Sequence, residues 1–492
     1  MKYEYDAVVI GGGAAGLTAS GIAANFGAKT MMIEKDRLGG DCTWNGCVPS
    51  KTLIKAASVI HKAKESNKYG IDLSINDVDL SRVMKHVDEV RNEIYEDADR
   101  PEIFEEMGIE VVIGKASFSD SHTLMIQLPD GTERSVTSKY FFICTGSTPF
   151  VPPIPGLDSV DYLTNESLFQ IDNIPKSISI IGAGPIGCEM AQSFVRLGLD
   201  VTVLDMADRI LANDDPELTE ILKESLKEEG VKFELNSAIE KIESAGDSVR
   251  ISFTNNGESR LVTSESLLAA TGRRPNAGGL NLEAAGVNYS KKGIEVNKSG
   301  RTNQRHIYAA GDVTGQFHFS HMSEHTAKTA VTKALLKVPM SIDEKHLPWV
   351  TFTDPELGHV GATEADLNNH GVSFETYRFP FSKIDRAITD GNTTGLIKIY
   401  AKKWSGKILG ASVVGAHAGE MISQYALAMK NGVSLRDFAD TIHPYPSYGL
   451  GARRAADQWY IKNQSETMVK WIKRIFRYRG EVPDYSNPNR IV

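Results

Sequence analysis

A short, mostly apolar stretch stands near the start of the chain. Tyr5-Asp6-Ala7-Val8-Val9-Ile10 reads as a buried strand, and a glycine-rich turn after it leads into a helix to about Phe26. A second apolar strand, Thr30-Met31-Met32-Ile33, ends at Glu34. The same succession returns later as Ile178-Ser179-Ile180-Ile181, a glycine turn, a helix through Phe194, and a strand Asp200–Leu204 ending at Asp205. Between these units helical periodicity runs from Lys51 to about Ser66 and from about Leu80 to Met107, and short strands are predicted near Val111 and Leu124. The run Tyr140-Phe141-Phe142-Ile143 leads into Cys144-Thr145-Gly146-Ser147, after which Pro149, Pro152, Pro153 and Pro155 mark a linker. Two further strands exit at Gly272 and at Gly311-Asp312, the second followed by a helix from about Ser320 to Leu336. Beyond Pro348 the texture becomes alternating, with strands near Trp349–Thr353, Glu375–Pro380, Gly395–Tyr400 and Ile408–Val414, and a helix on either side of His443. The chain is therefore α/β, and its last part is an α/β or α+β domain with an antiparallel sheet.

The glycine turns carry chemistry. Gly11-Gly12-Gly13-Ala14-Ala15-Gly16 and Gly182-Ala183-Gly184-Pro185-Ile186-Gly187 both show the GxGxxG spacing between strand and helix, with an acid about 20 positions on. In the first, Gly11 allows the tight turn, Gly13 lets a pyrophosphate approach the backbone, and Gly16 lets helix and strand pack closely. Glu34 would accept hydrogen bonds from a ribose. Gly182, Gly184, Gly187 and Asp205 repeat the set, so two Rossmann-like dinucleotide-binding domains imply two dinucleotides. An acid at the position of Asp205 binds a ribose 2′-hydroxyl and repels a 2′-phosphate, and Met206 adds no positive charge. NADH is expected over NADPH, with nearby Arg209 the one residue that qualifies this.

Cys42 and Cys47 lie five positions apart in Gly39-Gly40-Asp41-Cys42-Thr43-Trp44-Asn45-Gly46-Cys47-Val48-Pro49-Ser50-Lys51. A disulfide needs Cα atoms roughly 4.4–6.8 Å apart. A helix places i and i+5 about 8–9 Å apart, and a strand roughly 16 Å. The segment is expected to wind more tightly than a helix, with Gly46 permitting it. Pro49 suits the first turn of a following helix, whose positive end would favour a Cys47 thiolate. So short a loop removes little entropy, which counts against a structural staple. No second Cys or His pair stands at metal-ligand spacing nearby, which counts against zinc. A redox-active dithiol is the reading that fits the context.

The 492 residues suffice for three or four domains. Their net charge of −9 speaks against nucleic acid as a general partner. Only 4 cysteines occur, which is no secreted disulfide framework, and a reducible dithiol suits a reducing cytosol. The start Met1–Asp6 has neither the basic residues nor the apolar run of a signal peptide, and no run is long enough for a membrane span. A cytoplasmic protein with no membrane span is expected.

Together these motifs resemble the FAD-dependent pyridine nucleotide-disulfide oxidoreductases, the family of dihydrolipoamide dehydrogenase, glutathione reductase and mercuric reductase, over nearly the whole chain to about Gln464. Thr43-Trp44-Asn45 and Ser50-Lys51 look closest to the mercuric-reductase-like and lipoamide-type members. The resemblance implies a first part of the FAD-binding domain at 1–148, an NAD-binding domain at 149–273, the second, central part of the FAD-binding domain at 274–345, a dimerisation domain at 346–464 and a basic tail at 465–492. By the same resemblance Gly11, Gly13, Gly16, Glu34, Lys51, Thr145, Gly146, Gly311 and Asp312 would hold FAD, and Gly182, Gly184, Gly187, Asp205 and Gly272 would hold NADH. Lys51 and Glu189 match a pair beside the reactive flavin nitrogen. Cys47 matches the thiolate nearer the flavin, Cys42 the sulfur that exchanges with substrate. His443, followed by Pro444, matches a catalytic histidine supplied across a homodimer interface, where it would take a proton from Cys42 or the substrate thiol.

Tyr448 departs from the family. Lipoamide and glutathione enzymes place a glutamate five residues after the histidine, and a neutral phenol cannot stabilise imidazolium as a carboxylate would. No cysteine follows Cys188, whereas mercuric reductases carry a vicinal pair near the C-terminus. The expected substrate is a small disulfide or dithiol. Alternatives are reduction of a soft metal ion, or a low-turnover redox-sensing flavoprotein with a protein partner. His318, His321 and His325 are read as part of a helix near the flavin, with no resident metal, and Cys144 and Cys188 as core. Arg453, Arg454, Lys470, Lys473, Arg474, Arg477 and Arg479 could attract an anionic substrate, a partner or a membrane surface but are read as a solvated charged helix, and Pro483–Val492 as an arm or disordered.

Overall fold

The computed structural model describes residues 3–75, 77–171 and 175–482. They fall into two compact units, one from residues up to 206 with 231–342, the other from residues 207–230 with 343 onward. The predicted arm Pro483–Val492 lies outside the described residues.

In the first unit β1 (Tyr5–Ile10), α1 (Ala14–Asn25) and β2 (Thr30–Glu34) form the expected strand–helix–strand unit. Next come α2 (Gly40–Trp44), α3 (Cys47–Lys64), α4 (Leu80–Ile94), α5 (Pro101–Glu106) and strands β3 (Ile109–Ile113), β4 (Lys115–Phe118), β5 (Thr123–Gln127) and β6 (Glu133–Ile143). The sheet runs β3-β2-β1-β6-β5-β4, parallel from β3 to β6 and antiparallel over β5 and β4. Ala7 stands opposite both Thr30 and Tyr140 in this register. All of β2 and all of β1 but Asp6 are buried, so these strands read as apolar runs without alternation. A single helix from Leu80 to Met107 does not form. α4 ends at Ile94, a wide π-type turn covers Tyr95–Asp99, and α5 restarts at Pro101, whose ring disfavours helix before it.

The second fingerprint follows as β7 (Ser177–Ile181), α6 (Pro185–Arg196), β8 (Asp200–Leu204) and β9 (Lys232–Glu234). An antiparallel meander of β10 (Ser237–Ser244), β11 (Val249–Asn255) and β12 (Glu258–Ser264) precedes β13 (Ser266–Ala269). The parallel sheet runs β9-β8-β7-β13. The meander was not among the predicted strands, because its outer strand is almost wholly exposed and polar. The chain then returns to the first sheet, where β14 (Ile307–Ala309) lies parallel to β6, before α7 (Ser320–Leu336).

The second unit is an antiparallel sheet of β15 (Pro348–Thr351), β16 (Glu356–Gly361), β17 (Glu375–Pro380), β18 (Leu396–Ala401) and β19 (Ile408–Gly415), in the order β15-β16-β19-β18-β17. α8 (Ala418–Lys430), α9 (Leu435–Asp440) and α10 (Tyr448–Asn463) bury Met421, Ile422, Tyr425 and Phe438 with Tyr377, Phe379 and Ile397 of the sheet. β16 escaped prediction: it holds two glycines and the buried His359, whose Nδ1 lies 2.7 Å from Ser412 Oγ. An ion cluster built on the buried pair Lys398 and Asp215 joins this sheet to the helix Pro216–Glu228. Lys398 Nζ lies 2.7 Å from Asp215, 3.1 Å from Glu217 and 2.9 Å from Glu364, while Asp215 also caps that helix. The basic tail is helical, as expected, but its charged face is not its only exposed one. It forms α11 (Glu466–Phe476), an amphipathic helix whose apolar side is exposed. Arg453 and Arg454 sit in α10 and pair with Asp457 and Asp385. No helix among the described residues is long and apolar enough to cross a membrane.

Candidate active site

The two glycine turns are built alike. Gly11 (φ +106°) and Gly182 (φ +113°) adopt a backbone that disfavours side chains, and a Cβ on either would strike a carbonyl oxygen, of Cys144 at 2.3 Å and of Ala270 at 2.4 Å. A Cβ on Gly16 would lie 1.8 Å from the Gly11 oxygen, and one on Gly187 1.9 Å from that of Gly182. Gly13 and Gly184 differ in kind. Each precedes a helix start with no side-chain cap, and a Cβ on Gly184 would meet nothing within 4 Å. Unpaired amides at an open helix start suit a pyrophosphate. The acids match as well: Glu34 Oε2 accepts from Gly12 N at 2.6 Å, and Asp205 Oδ2 accepts from Ala183 N at 2.6 Å. Each carboxylate is thus fixed at its strand end, where a ribose hydroxyl would reach it. Both turns fit a dinucleotide.

The dithiol segment is not one tight coil. Cys42 lies within the short α2, the chain breaks at Asn45 and Gly46, and Cys47 is the first residue of α3. The break brings i and i+5 together where a continuous helix would hold them apart. The Cys42 thiol donates to the Cys47 sulfur. With that donor first, against burial, and with Ser320 and the Lys51 ammonium assisting, the Cys47 thiol is lowered to about 6. Cys42 is pushed far up by the same bond and by burial. Ser320 Oγ at the start of α7 lies 3.3 Å from Cys47 Sγ. One sulfur is therefore a thiolate at neutral pH and its neighbour a thiol. Cys144 and Cys188 are buried, and burial pushes Cys144 up to about 12.

A glycine pair that sequence reasoning passed over seats this dithiol. Gly39 N donates to Gly12 O at 2.9 Å, and a Cβ on Gly40 would stand 2.6 Å from Gly13 Cα. The first nucleotide turn and the start of α2 are thus in backbone contact. Thr43 Oγ1 donates to Asp99 Oδ2 at 2.6 Å and Arg91 Nη1 to Trp44 O at 2.8 Å, pinning the other end of α2.

Lys51 Nζ lies 2.8 Å from Glu189 Oε2, joining α3 to α6. Asp312 accepts from Ser147 Oγ at 2.6 Å and lies 3.4 Å from His318 Nδ1. Burial pushes its carboxyl up, but these donors, with Arg273, hold it below its ordinary value. Arg273 was a second omission, although it directly follows Gly272. It reaches Asp41 Oδ2 at 3.0 Å, Ser147 Oγ at 2.7 Å and Asp312 Oδ2 at 3.8 Å, tying the dithiol segment to the Asp312 loop. Thr145 Oγ1 donates to Asn276 O at 2.7 Å, and Gly146, Gly272 and Gly311 all have positive φ. Gly311 N donates to Thr326 Oγ1 at 3.0 Å.

His443 belongs to the second unit, in the loop before α10. Its Nδ1 donates to Thr441 O at 3.0 Å, which leaves Nε2 as the acceptor nitrogen. Tyr448 gives its hydroxyl to Asp390 Oδ2 at 3.1 Å and accepts from Asn392 at 3.4 Å. Next to the histidine, Ile442 is 94% exposed, and Tyr445 is also exposed.

Comparison with known proteins accords with this geometry. The family model described as pyridine nucleotide-disulphide oxidoreductase matches residues 5–334, and the model of that family's dimerisation domain matches residues 347–455. A mercuric reductase of Lysinibacillus sphaericus is 36% identical over 92% of this chain and 82% of its own length. A dihydrolipoyl dehydrogenase of Bacillus subtilis is 31% identical over 93% and 98%. Among solved structures, LpdA from Mycobacterium tuberculosis superposes with a TM-score of 0.85 at 26% identity, covering 92% of this chain and 99% of that one. A Cu(II) complex of the HOCl-induced flavoprotein disulfide reductase RclA from Escherichia coli gives 0.82 at 27%, covering 94% and 100%. The cofactors of these enzymes are FAD and NAD(P)H, and with its two nucleotide turns, its dithiol and its dimerisation domain the chain belongs to the pyridine nucleotide-disulphide oxidoreductases.

Proposed function

We propose that the enzyme passes two electrons from NADH through FAD to the Cys42–Cys47 pair, and from there to a small disulfide or a dithiol carrier. The observation that carries this is the placement of Cys42 in α2 and Cys47 at the start of α3 across a break in the chain, with Ser320 Oγ 3.3 Å from Cys47 Sγ and Lys51, paired with Glu189, on the same helix as Cys47. When bound, the flavin would supply the step from a two-electron hydride donor to a disulfide. Gly11, Gly13, Gly16 and Glu34 would hold its adenosine half, with Thr145, Gly146, Gly311 and Asp312 along the rest. Gly182, Gly184, Gly187, Gly272 and Asp205 would hold the nicotinamide nucleotide. Asp205 and the exposed Met206 favour NADH, and Arg209 donates to the Ala212 carbonyl. Lys51, fixed by Glu189, would set positive charge beside the isoalloxazine and Cys47. The domain limits 1–148, 149–273, 274–345 and 346–464 divide the chain in the order these roles require.

In the outgoing half, Cys42 gives its proton to His443 and attacks the substrate disulfide, releasing one thiolate, which His443 protonates. The Cys47 thiolate then attacks Cys42, restoring the disulfide and expelling the second thiolate, which takes a proton from solvent through His443. The sum is one disulfide and one proton consumed and two thiols released per reduced pair. His443 would come from the partner subunit, a role supported by the exposed apolar side chains of Ile442 and Tyr445 that flank it and that a subunit interface would cover. A reducible dithiol of this kind suits the cytoplasm.

A second reading is reduction of a soft metal ion bound by the two sulfurs, which take such ions readily. Tyr448, bonded to Asp390 and Asn392, offers His443 no carboxylate, which weakens the proton relay that thiol substrates need. Several relatives are named mercuric reductases, and one neighbour was solved with Cu(II). Anaerobic reduction by NADH, followed by disulfide, quinone and metal acceptors, separates the two. Tyr448→Glu is expected to raise lipoamide turnover several-fold. Unchanged disulfide turnover, together with metal-dependent NADH oxidation lost in Cys42→Ser, would establish the metal reading instead.

A further inference from the structure

α11 places Met468, Trp471, Ile472, Ile475 and Phe476 at i, i+3, i+4, i+7 and i+8, so they share one face. Glu466, Lys470, Lys473 and Arg474 take the opposite face, and Arg477 and Arg479 follow directly. No residue of the helix is buried: Trp471 is 59% exposed, Ile475 63% and Phe476 62%. Its charged and aromatic residues make local contacts: Lys470 with Glu466, Arg474 over Trp471, and Phe476 on Tyr478. The match to the dimerisation domain ends at residue 455, before this helix begins.

We propose that α11 is an interfacial anchor that lies on an anionic lipid bilayer, its Trp471–Phe476 face among the acyl chains and its Lys and Arg side chains among the headgroups. Charge decides between occupants. Residues 465–482 carry five basic and two acidic side chains, on a chain whose net charge is −9. The positive charge is therefore concentrated where the apolar face is bare. A second copy docked on the apolar side would cover that side alone and leave the basic face unmatched. An anionic surface instead attracts each basic side chain, worth about fivefold in partitioning apiece. Bulky aromatic and aliphatic residues opposite a basic face are what an in-plane helix requires. Being 11 residues long, the helix lies on the bilayer and does not span it. The proposal is independent of which acceptor the dithiol reduces.

The full-length holoenzyme can be tested by co-sedimentation with vesicles of phosphatidylcholine alone and of phosphatidylcholine with phosphatidylglycerol. Binding to the anionic vesicles, weakened by salt, is expected, with a blue shift of tryptophan emission that Trp471→Phe lacks. The triple variant Trp471→Ser/Ile475→Ser/Phe476→Ser should lose binding by tenfold or more while keeping NADH-dependent flavin reduction, which controls for folding. Lys470→Glu/Lys473→Glu should abolish the preference for anionic vesicles. Absence of binding by the parent protein, or equal binding by the triple variant, overturns the proposal. A parent assembly larger than a dimer that the triple variant reduces to a dimer overturns it in favour of a second copy.

Discussion

Cys47 owes its charge to four neighbours: the Cys42 thiol, the start of α3, Ser320 and Lys51. In the reduced protein, alkylation of Cys47 by iodoacetamide, followed by mass spectrometry, should rise with pH through a midpoint near 6. Below that pH the sulfur is protonated and the rate falls. Lys51→Met and Ser320→Ala each remove a stabilising partner, so both should move the midpoint upward. An unmoved midpoint in both would show that neither partner sets the Cys47 thiolate. At this scale the sequence named the sulfurs, the lysine and its glutamate. It did not mark Arg273 or Ser320 as site residues, because Asp41 and Cys47, which they touch in the dithiol segment, lie more than two hundred positions away, and nothing local marks a side chain for a distant partner.

The elements fail in characteristic ways. Gly16→Ala and Gly187→Ala would each thrust a methyl into a carbonyl oxygen less than 2 Å away. The expected outcome is loss of flavin retention for the first, and a raised KM for NADH with flavin retained for the second. In the second unit Lys398 is 4% and Asp215 2% exposed. Lys398→Met leaves Asp215 buried without its cation, at a cost of about 3–5 kcal/mol in chemical denaturation. Burial pushes Asp215 up, but Lys398 and Tyr400 hold it below its ordinary value in the fold. Its contribution is thus complete above an unfolded-state pKa of about 3.9 and is lost as pH falls through the lower folded value. The parent protein should therefore lose stability below pH 4 more steeply than Lys398→Met. Strands with continuous apolar runs, such as β1, β2, β7 and β8, were legible because both faces are covered. β16 was not, since His359 and two glycines break its pattern and tertiary burial alone makes it a strand.

For the molecule as a whole, two copies of one nucleotide-binding plan gave away the first unit, and a change to alternating texture gave away the second. The sequence carried no sign that the helix Pro216–Glu228 leaves the first unit to pack with the second, because its amphipathic pattern would serve either sheet. The tail shows the opposite limit. Its charges were plain, but its bare aromatic side became visible only once α11 could be seen to bury none of its residues.

The meeting of Gly12 and Gly13 with Gly39 and Gly40 has a reach beyond its size. There is no slack between the loop built for a phosphate and the turn that aims the sulfurs, so anything that shifts one must drag the other. A methyl group grown on Gly40 would press on the Gly13 backbone 2.6 Å away, and so would push the glycine turn and the start of α2 apart together.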